Sequence, residues 1–408
     1  MSITNTFSMA ARNLARNRRR TLLTGILITF GVVTVLFSTA FLDSMAANWR
    51  DAIVNADIGH AQIMRPAHRE RLASLPLDAA LGNVTDRVGK LSSNERILAA
   101  SPRISFTGLA GATDQSAPFL ARAVELDTIV DVLPRIYGTL VEGAPLRAHG
   151  DALLAAGLAG LLSAGVGDVL LLTGYDKYSA INAVEVTVVG ILRIPEEQAN
   201  NTMLLTDFET GRELVGFVDE ATEIVLRTPA LADLSRTLAV LNADYGSAGT
   251  VMVPWSELAG SFNQAAGMFD FVAMVISAII YVVVLVTLAN TVLTTVFERV
   301  KETGMLMAMG TSPAGVVLLH LGESLILSLG GVALGVLFHW LITAYTGSVG
   351  ITVPPPPGAI DAIVLYPAFT WPSVLGVALA MILVTLAASF YPTRLAAKLD
   401  PVEAINAR

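Results

Sequence analysis

Apolar positions along this chain gather into four long runs, Thr21–Leu42, Phe271–Phe297, Gly315–Thr346 and Trp371–Tyr391. Between the first two lie more than 200 residues in which apolar and polar positions alternate at short range. The run from Phe271 to Phe297 holds no charge over 27 residues. As a helix it would be about 40 Å long, more than the roughly 30 Å of a bilayer's hydrocarbon core. All four runs are predicted to be membrane spans.

The long intervening stretch reads as mixed strands and helices. A helix over Asp43–Asn55 continues the first span, and Ile58–Met64 alternates as a strand that Arg65-Pro66 ends. The pattern from Arg69 to Ala100 is mostly helical. Strands follow at Ile104–Ala110 and Pro118–Val124, then an alanine- and leucine-rich helix at Leu153–Leu162. Further strands are expected at Val169–Thr173, Ala183–Ile194, Met203–Thr206, Ala221–Thr228 and Val251–Pro254. Helices at Asp207–Val215 and Leu231–Asn242 fit between them, and from Ser256 onward the chain is helical. Without one helix per strand, this pattern predicts an α+β domain, with 112–174 as a possible inserted subdomain.

Between the second and third runs sits a charged knuckle, ERVKETGMLMAMGTSP. Glu298 with Lys301, and Arg299 with Glu302, fall three apart and can pair across one helical turn. Gly310 suits a helix stop, and Ser312-Pro313 suits a new N-cap and first turn. The chain is thus expected to leave the bilayer, form a short surface helix and re-enter. Further on, His320 and Glu323 share a helical face inside the third run. An acid there is either an intramembrane functional group or a group at headgroup level that caps the surface helix. Gly322, Gly330, Gly331 and Gly335 form a small-residue stripe that permits close approach of another helix, or supplies local flexibility.

Composition fits this segregation: 53% of the 408 residues are hydrophobic and 15% charged. Five arginines (12, 16, 18, 19 and 20) and no acid precede the first span, and no Lys or Arg lies in the loop between the third and fourth. By the positive-inside rule both termini and the knuckle are cytoplasmic. The residues from 43 to 270, with 16 basic and 28 acidic side chains, are then external. A cleaved signal peptide would explain the first run too, but its 22 residues suit a retained anchor better. The expected division is 1–20, a cytoplasmic amphipathic segment; 21–42, 268–297, 315–346 and 371–391, the spans; 43–267, the extracytoplasmic domain; 298–314, the knuckle; 347–370, an outer loop with a polyproline segment at Pro354–Pro357; and 392–408, a cytoplasmic tail.

Catalytic chemistry finds little support. The chain has no phosphate-binding G-x-x-x-x-G-K-[ST], no G-x-S-x-G and no H-E-x-x-H, and His60, His68 and His149 are unclustered. It has no cysteine, hence no disulfide or thiolate metal site. A membrane-anchored enzyme is disfavoured, and neither a cofactor, a metal nor nucleic acid is expected to bind.

With these residues in view, the chain resembles the FtsX-like/MacB-like family of ABC transporter permeases, and most the lipoprotein-releasing (LolC/LolE-type) members. The knuckle is similar to the family's E-R-x-x-E-I-G-x-x-x-A-x-G signature through Glu298, Arg299, Glu302, Gly304, Ala308 and Gly310, with Thr303 in place of isoleucine. The tail resembles P-x-x-x-A-x-x-x-x-P-x-x-A-L through Pro392, Ala396, Pro401 and Ala404, with Ile405 for leucine. The opening AARNLARNRRRTLLTG resembles the family's amphipathic N-terminal helix, and GHAQIM, VGDVLLLTG, VTVVGILR and VPWSEL are weaker echoes.

The resemblance implies a non-catalytic subunit in a bacterial inner membrane, paired with a second permease, identical or paralogous. Two copies of a separate ATPase would bind ATP and Mg and dock on the knuckle. ATP-driven movement of the external domain, mechanotransmission, would then serve extraction of a lipoprotein or lipid, or export of a hydrophobic substrate, with a periplasmic chaperone or adaptor as a further partner. The alternatives it leaves are a scaffold that activates a cell-wall hydrolase and a macrolide or peptide efflux permease.

Overall fold

The structure is a computed structural model that describes residues 12–14, 18–112, 114–194, 196–231, 233–245, 249–354 and 362–397. Two compact units make up the chain: a helical bundle from 1–47, 265–352 and 364–408, and a sheet domain from 48–264 with 353–363. Much of the expected N-terminal segment, most of the polyproline segment, and the tail positions Pro401, Ala404 and Ile405 lie outside the described residues.

Among the described residues, four helices are long and apolar enough to cross a membrane: Arg18–Ile53, Gly260–Glu298, Pro313–Val349 and Trp371–Ala396. Each is longer than its apolar run, because a helix continues through polar residues as long as no backbone breaker intervenes. Pro392 was expected to open the tail, but it lies inside the fourth helix. The bundle core joins all four: Ile28, Val32 and Leu36 of the first span, Val284 and Leu288 of the second, Val332 of the third, Val377 and Met381 of the fourth. Of the glycine stripe, Gly331 and Gly335 face the first span. A Cβ on Gly331 would come within 2.8 Å of Ile28, one on Gly335 within 2.6 Å of Val32, and Thr29 Oγ1 donates to Gly331 O at 3.1 Å. This is the close approach that glycine permits between helices with no aqueous driving force.

Among its described residues the sheet domain holds twelve strands: β1 (Ala61–Met64), β2 (Leu81–Gly82), β3 (Ala99–Gly111), β4 (Ser116–Val124), β5 (Leu140–Gly143), β6 (Asp151–Ala155), β7 (Val169–Tyr175), β8 (Ile181–Leu192), β9 (Met203–Asp207), β10 (Glu220–Ala221), β11 (Glu223–Arg227) and β12 (Val251–Pro254). Ten of them form one mixed sheet in the order β12-β1-β11-β3-β4-β9-β6-β8-β5, with β7 paired to β3 and β8. The pairs β4·β9 and β6·β8 are parallel and the rest antiparallel, which makes the domain α+β.

Several expectations change. The stretch 112–174 is not a separate body, since β4 to β7 pair with strands on both sides of it in sequence. The helix expected at Leu153–Leu162 is split into β6 and a helix at Ala156–Leu162. Leu153 and Leu154 are fully buried in the middle of the sheet, and a short apolar run of this kind suits a buried strand as well as a helix. The helical reading of 69–100 breaks into Pro66–Glu70, two 3₁₀ turns, β2, Val84–Ser92 and the start of β3. Left-handed φ at Leu75 ends the first 3₁₀ turn, and at Asn83 it precedes the helix Val84–Ser92. The helix from Ser256 is likewise interrupted at Ala259.

Asp207 closes β9 and caps the next helix, Phe208–Val215, accepting from Thr210 N and from Gly150 N at 3.0 Å. Asp207→Ala is expected to lower the domain's stability by about 1–2 kcal/mol, as loss of an N-cap does. Thermal unfolding of the detergent-solubilised protein checks this.

Candidate functional site

The knuckle's shape follows from two backbone breaks. The second span stops at Glu298 because Arg299 departs from helical geometry (φ −111°, ψ 19°), and a nine-residue helix, Val300–Ala308, follows. Gly310 then turns the chain at φ +92°, a conformation that suits glycine. Ser312 caps the third span by accepting from Gly315 N at 3.2 Å, with Pro313 in the first turn.

Within this frame Arg299 is 3.6 Å from Glu302, as its spacing predicted. Glu298 instead reaches Arg20 of the first span, at 3.4 Å. The expected Glu298–Lys301 pair does not form among the described residues, because the break at Arg299 removes the regular turn on which three-residue spacing depends. Glu302, Met305, Ala308 and Met309 are exposed, while Gly304 is buried. The short helix therefore offers charge and two flexible thioethers on one surface.

Beside it a polar cluster joins the knuckle, the third span and the N-terminal segment. Glu323 of the third span lies 3.9 Å from Arg299 and 3.4 Å from His320, and it accepts from Asn13 Nδ2 at 2.7 Å. Arg299, His320 and Glu323 are 11%, 8% and 13% exposed, so Glu323 is a nearly buried, fully partnered carboxylate. Arg299 Nη2 is buried without a hydrogen-bond partner among the described residues. A cavity of about 70 Å³ opens here, lined by Arg20, Thr24, Thr295, Arg299, Glu323 and Ser389 among others. Nearer the other end of the third span, His339 is buried against Phe369, with ring centroids 5.7 Å apart.

The sheet domain holds a second ionic cluster that sequence reasoning missed. The first long helix ends in a π-helical turn, Val54–Ile58, that carries Asp57. Arg103 of β3 faces Glu223 of β11 as a direct strand partner, with Nε 2.7 Å from the carboxylate, and both side chains are almost fully buried. Arg103 also donates to Asp57 O and lies 3.5 Å from its carboxylate. Arg122 of β4 donates to Ser105 Oγ at 2.6 Å and sits 3.3 Å from Asp57 Oδ1. Ser105 donates to Glu223, and His68 lies 3.9 Å from it. Burial alone would raise the Glu223 carboxyl, but the charges of Arg103 and Arg122 and the Ser105 hydroxyl hold it below the usual glutamate range. Burial, then the like charge of Arg122, lowers Arg103 from its ordinary value. The available signal was a charge within the apolar stretch ASPRISF and another at the head of TEIVLR.

The remaining histidines have separate surroundings. His60 is 2.9 Å from Thr228, while His149 lies between Asp207 and Glu213 at 3.4 and 3.6 Å. Neither forms part of a metal-type cluster among the described residues.

Comparison with known proteins gives two family matches: the MacB-like periplasmic core domain over residues 21–266, and the FtsX-like permease C-terminal domain over 274–401. An ABC transporter permease of Methanocaldococcus jannaschii is 24% identical over 227 residues, which is 54% of each chain. The lipoprotein-releasing system transmembrane protein LolC of Neisseria meningitidis serogroup B is 23% identical over 274 residues, 63% of this chain and 65% of that protein. The chain thus aligns with about half to two thirds of the length of these relatives. Among solved structures, the periplasmic region of MacB from Actinobacillus actinomycetemcomitans is similar over 50% of this chain and 94% of its own, at 12% identity and a TM-score of 0.35. The extracellular domain of YknZ from Gram-positive bacteria is similar over 46% and 94%, at 11% identity and a TM-score of 0.31.

Proposed function

Because the chain belongs to the family of ABC transporter permeases that join a MacB-like periplasmic core domain to an FtsX-like C-terminal domain, we propose that it is a non-catalytic membrane subunit worked by a separate ATPase. The observation that carries this reading is the knuckle: a short helix set off by breaks at Arg299 and Gly310, and tied by ion pairs to the first and third spans. Such an element gives way as a unit, so a push on it reaches three helices together. Glu298, Arg299, Glu302, Gly304, Ala308 and Gly310 form the coupling element, with His320 and Glu323 as its anchor.

On this reading the knuckle and both termini are cytoplasmic, and the sheet domain lies across the membrane. Two ATPase copies bind ATP and Mg, and a second permease, identical or paralogous, completes the assembly. The first and second spans are continuous helices to Ile53 and from Gly260, which supports transmission of motion along them (mechanotransmission). The relative in a lipoprotein-releasing system favours a lipid-modified protein or another hydrophobic substrate.

Copurification tests the coupling role. Glu302→Arg reverses a charge on the exposed face, and like-charge contact across an interface costs several kcal/mol. Gly304→Trp places a large ring at a buried position. Each is expected to lower recovery of the bound ATPase by at least about tenfold, the effect of roughly 1.4 kcal/mol, at unchanged membrane insertion. Full recovery of a working ATPase with both variants overturns the assignment.

A further inference from the structure

We propose that the charged end of the bundle binds one zwitterionic aminophospholipid, its phosphodiester on Arg299 and an acyl chain in the groove between the first and third spans.

Three observations carry this. First, Arg299 Nη2 is a buried guanidinium donor with no partner among the described residues, and it belongs to a residue that lines the 70 Å³ cavity. A buried donor of this kind costs free energy until an acceptor satisfies it. Second, apart from Arg20, which pairs with Glu298, Asn13, whose amide donates to Glu323, and Ser324, the cavity's polar groups offer acceptors. Thr21, Thr24, Thr291, Thr295, Thr385 and Ser389 each donate their hydroxyl proton to a backbone carbonyl, which leaves only oxygen lone pairs for a ligand. Glu323 adds a carboxylate. A head with anionic oxygens for Arg299 and N–H donors for Glu323 and the hydroxyl oxygens matches both halves.

Third, the cavity adjoins an apolar groove of about 710 Å³, Leu14, Thr21 and Leu327 lining both. Gly25, Phe30, Gly330 and Phe338 line the groove farther along. On the first span it extends from Thr21 to Val33, thirteen residues or about 18 Å of helix. That is close to the depth of one leaflet, half of the roughly 30 Å hydrocarbon core. A pocket that carries charged and hydroxyl groups beside an apolar slot one leaflet deep suits a single phospholipid.

The test uses the full chain purified in detergent, washed extensively, with retained lipid measured by mass spectrometry. Thermal stability is then followed on adding mixed micelles of phosphatidylethanolamine, mixed micelles of phosphatidylglycerol, or millimolar inorganic phosphate. The parent protein is expected to retain about one phosphatidylethanolamine per chain and to be stabilised by that lipid above the other two additions. Gly330→Phe puts a ring on the groove wall at a position where an added Cβ meets nothing within 4 Å. Arg299→Gln removes the donor. Each is expected to cut retention about tenfold, near 1.4 kcal/mol of binding free energy. A parent that retains no phospholipid, or a Gly330→Phe variant that retains as much as the parent, overturns the site. Equal stabilisation by inorganic phosphate shows a phosphate site without a lipid, and equal or greater stabilisation by phosphatidylglycerol overturns the zwitterionic head.

Discussion

Glu223→Ala is expected to destabilise the sheet domain by about 3–5 kcal/mol, the cost of leaving a buried charge unmatched. Its carboxylate is the counter-charge of fully buried Arg103, lies 3.9 Å from Arg122, and accepts from Ser105. Removing it leaves two guanidiniums with only the half-exposed Asp57. The double replacement Arg103→Met/Glu223→Leu is expected to recover most of the loss, because apolar packing replaces a buried ion pair at little or no net cost. Thermal unfolding of the full chain in detergent reads both. A double variant as unstable as the single one would show that the ions themselves, and not their imbalance, hold the strands.

The same residue gives a pH dependence of known sign. Its folded-state pKa lies below the unfolded one, so as pH falls the unfolded chain takes up the proton first. The stabilisation is complete above the unfolded glutamate pKa of about 4.3 and declines as pH drops through the folded value. Parent and Glu223→Gln proteins are expected to differ most near neutral pH and to converge in acid. A difference that stays constant or widens in acid contradicts the assignment.

Gly335→Leu is expected to be the most damaging single change in the bundle. A Cβ at this position already lies 2.6 Å from Val32 Cβ, and Thr29 O is 3.2 Å away, so a leucine has to part the first and third spans. Overpacking costs about 1–3 kcal/mol where a site can relax, and the backbone contact here points to the upper end of that range. Gly330→Leu is the control, five residues away on the same helix, where a Cβ meets nothing within 4 Å. Unfolding titrations in mixed micelles should place Gly330→Leu near the parent and Gly335→Leu well below it. Similar behaviour of the two would mean that the stripe is not a packing seam.

Hydropathy alone located the four spans, because a bilayer demands about 20 successive apolar residues and few other structures do. The knuckle's stop and restart were also legible, since Gly310 and Ser312-Pro313 carry local backbone and capping preferences. So were most strands, β8 above all, whose alternation is long enough to define one face. The fate of Leu153 and Leu154 was not legible: a two-sided buried strand loses the alternation that would identify it. Nor did the sequence say that Gly331 and Gly335 meet Ile28 and Val32, or that Glu298 pairs with Arg20, 278 residues away.

The sequence by itself determined which segments are apolar enough to span a membrane, where helices stop, and which family signature the knuckle carries, because each is set by residues within a few turns of one another. Only the tertiary structure decided that Arg103 faces Glu223 across a strand pair, that Arg299 and Glu323 close a polar cavity, and that the stretch 112–174 is woven into one sheet. These depend on register and helix rotation between distant segments, and a chain's local preferences leave both free until packing and charge neutralisation fix them together.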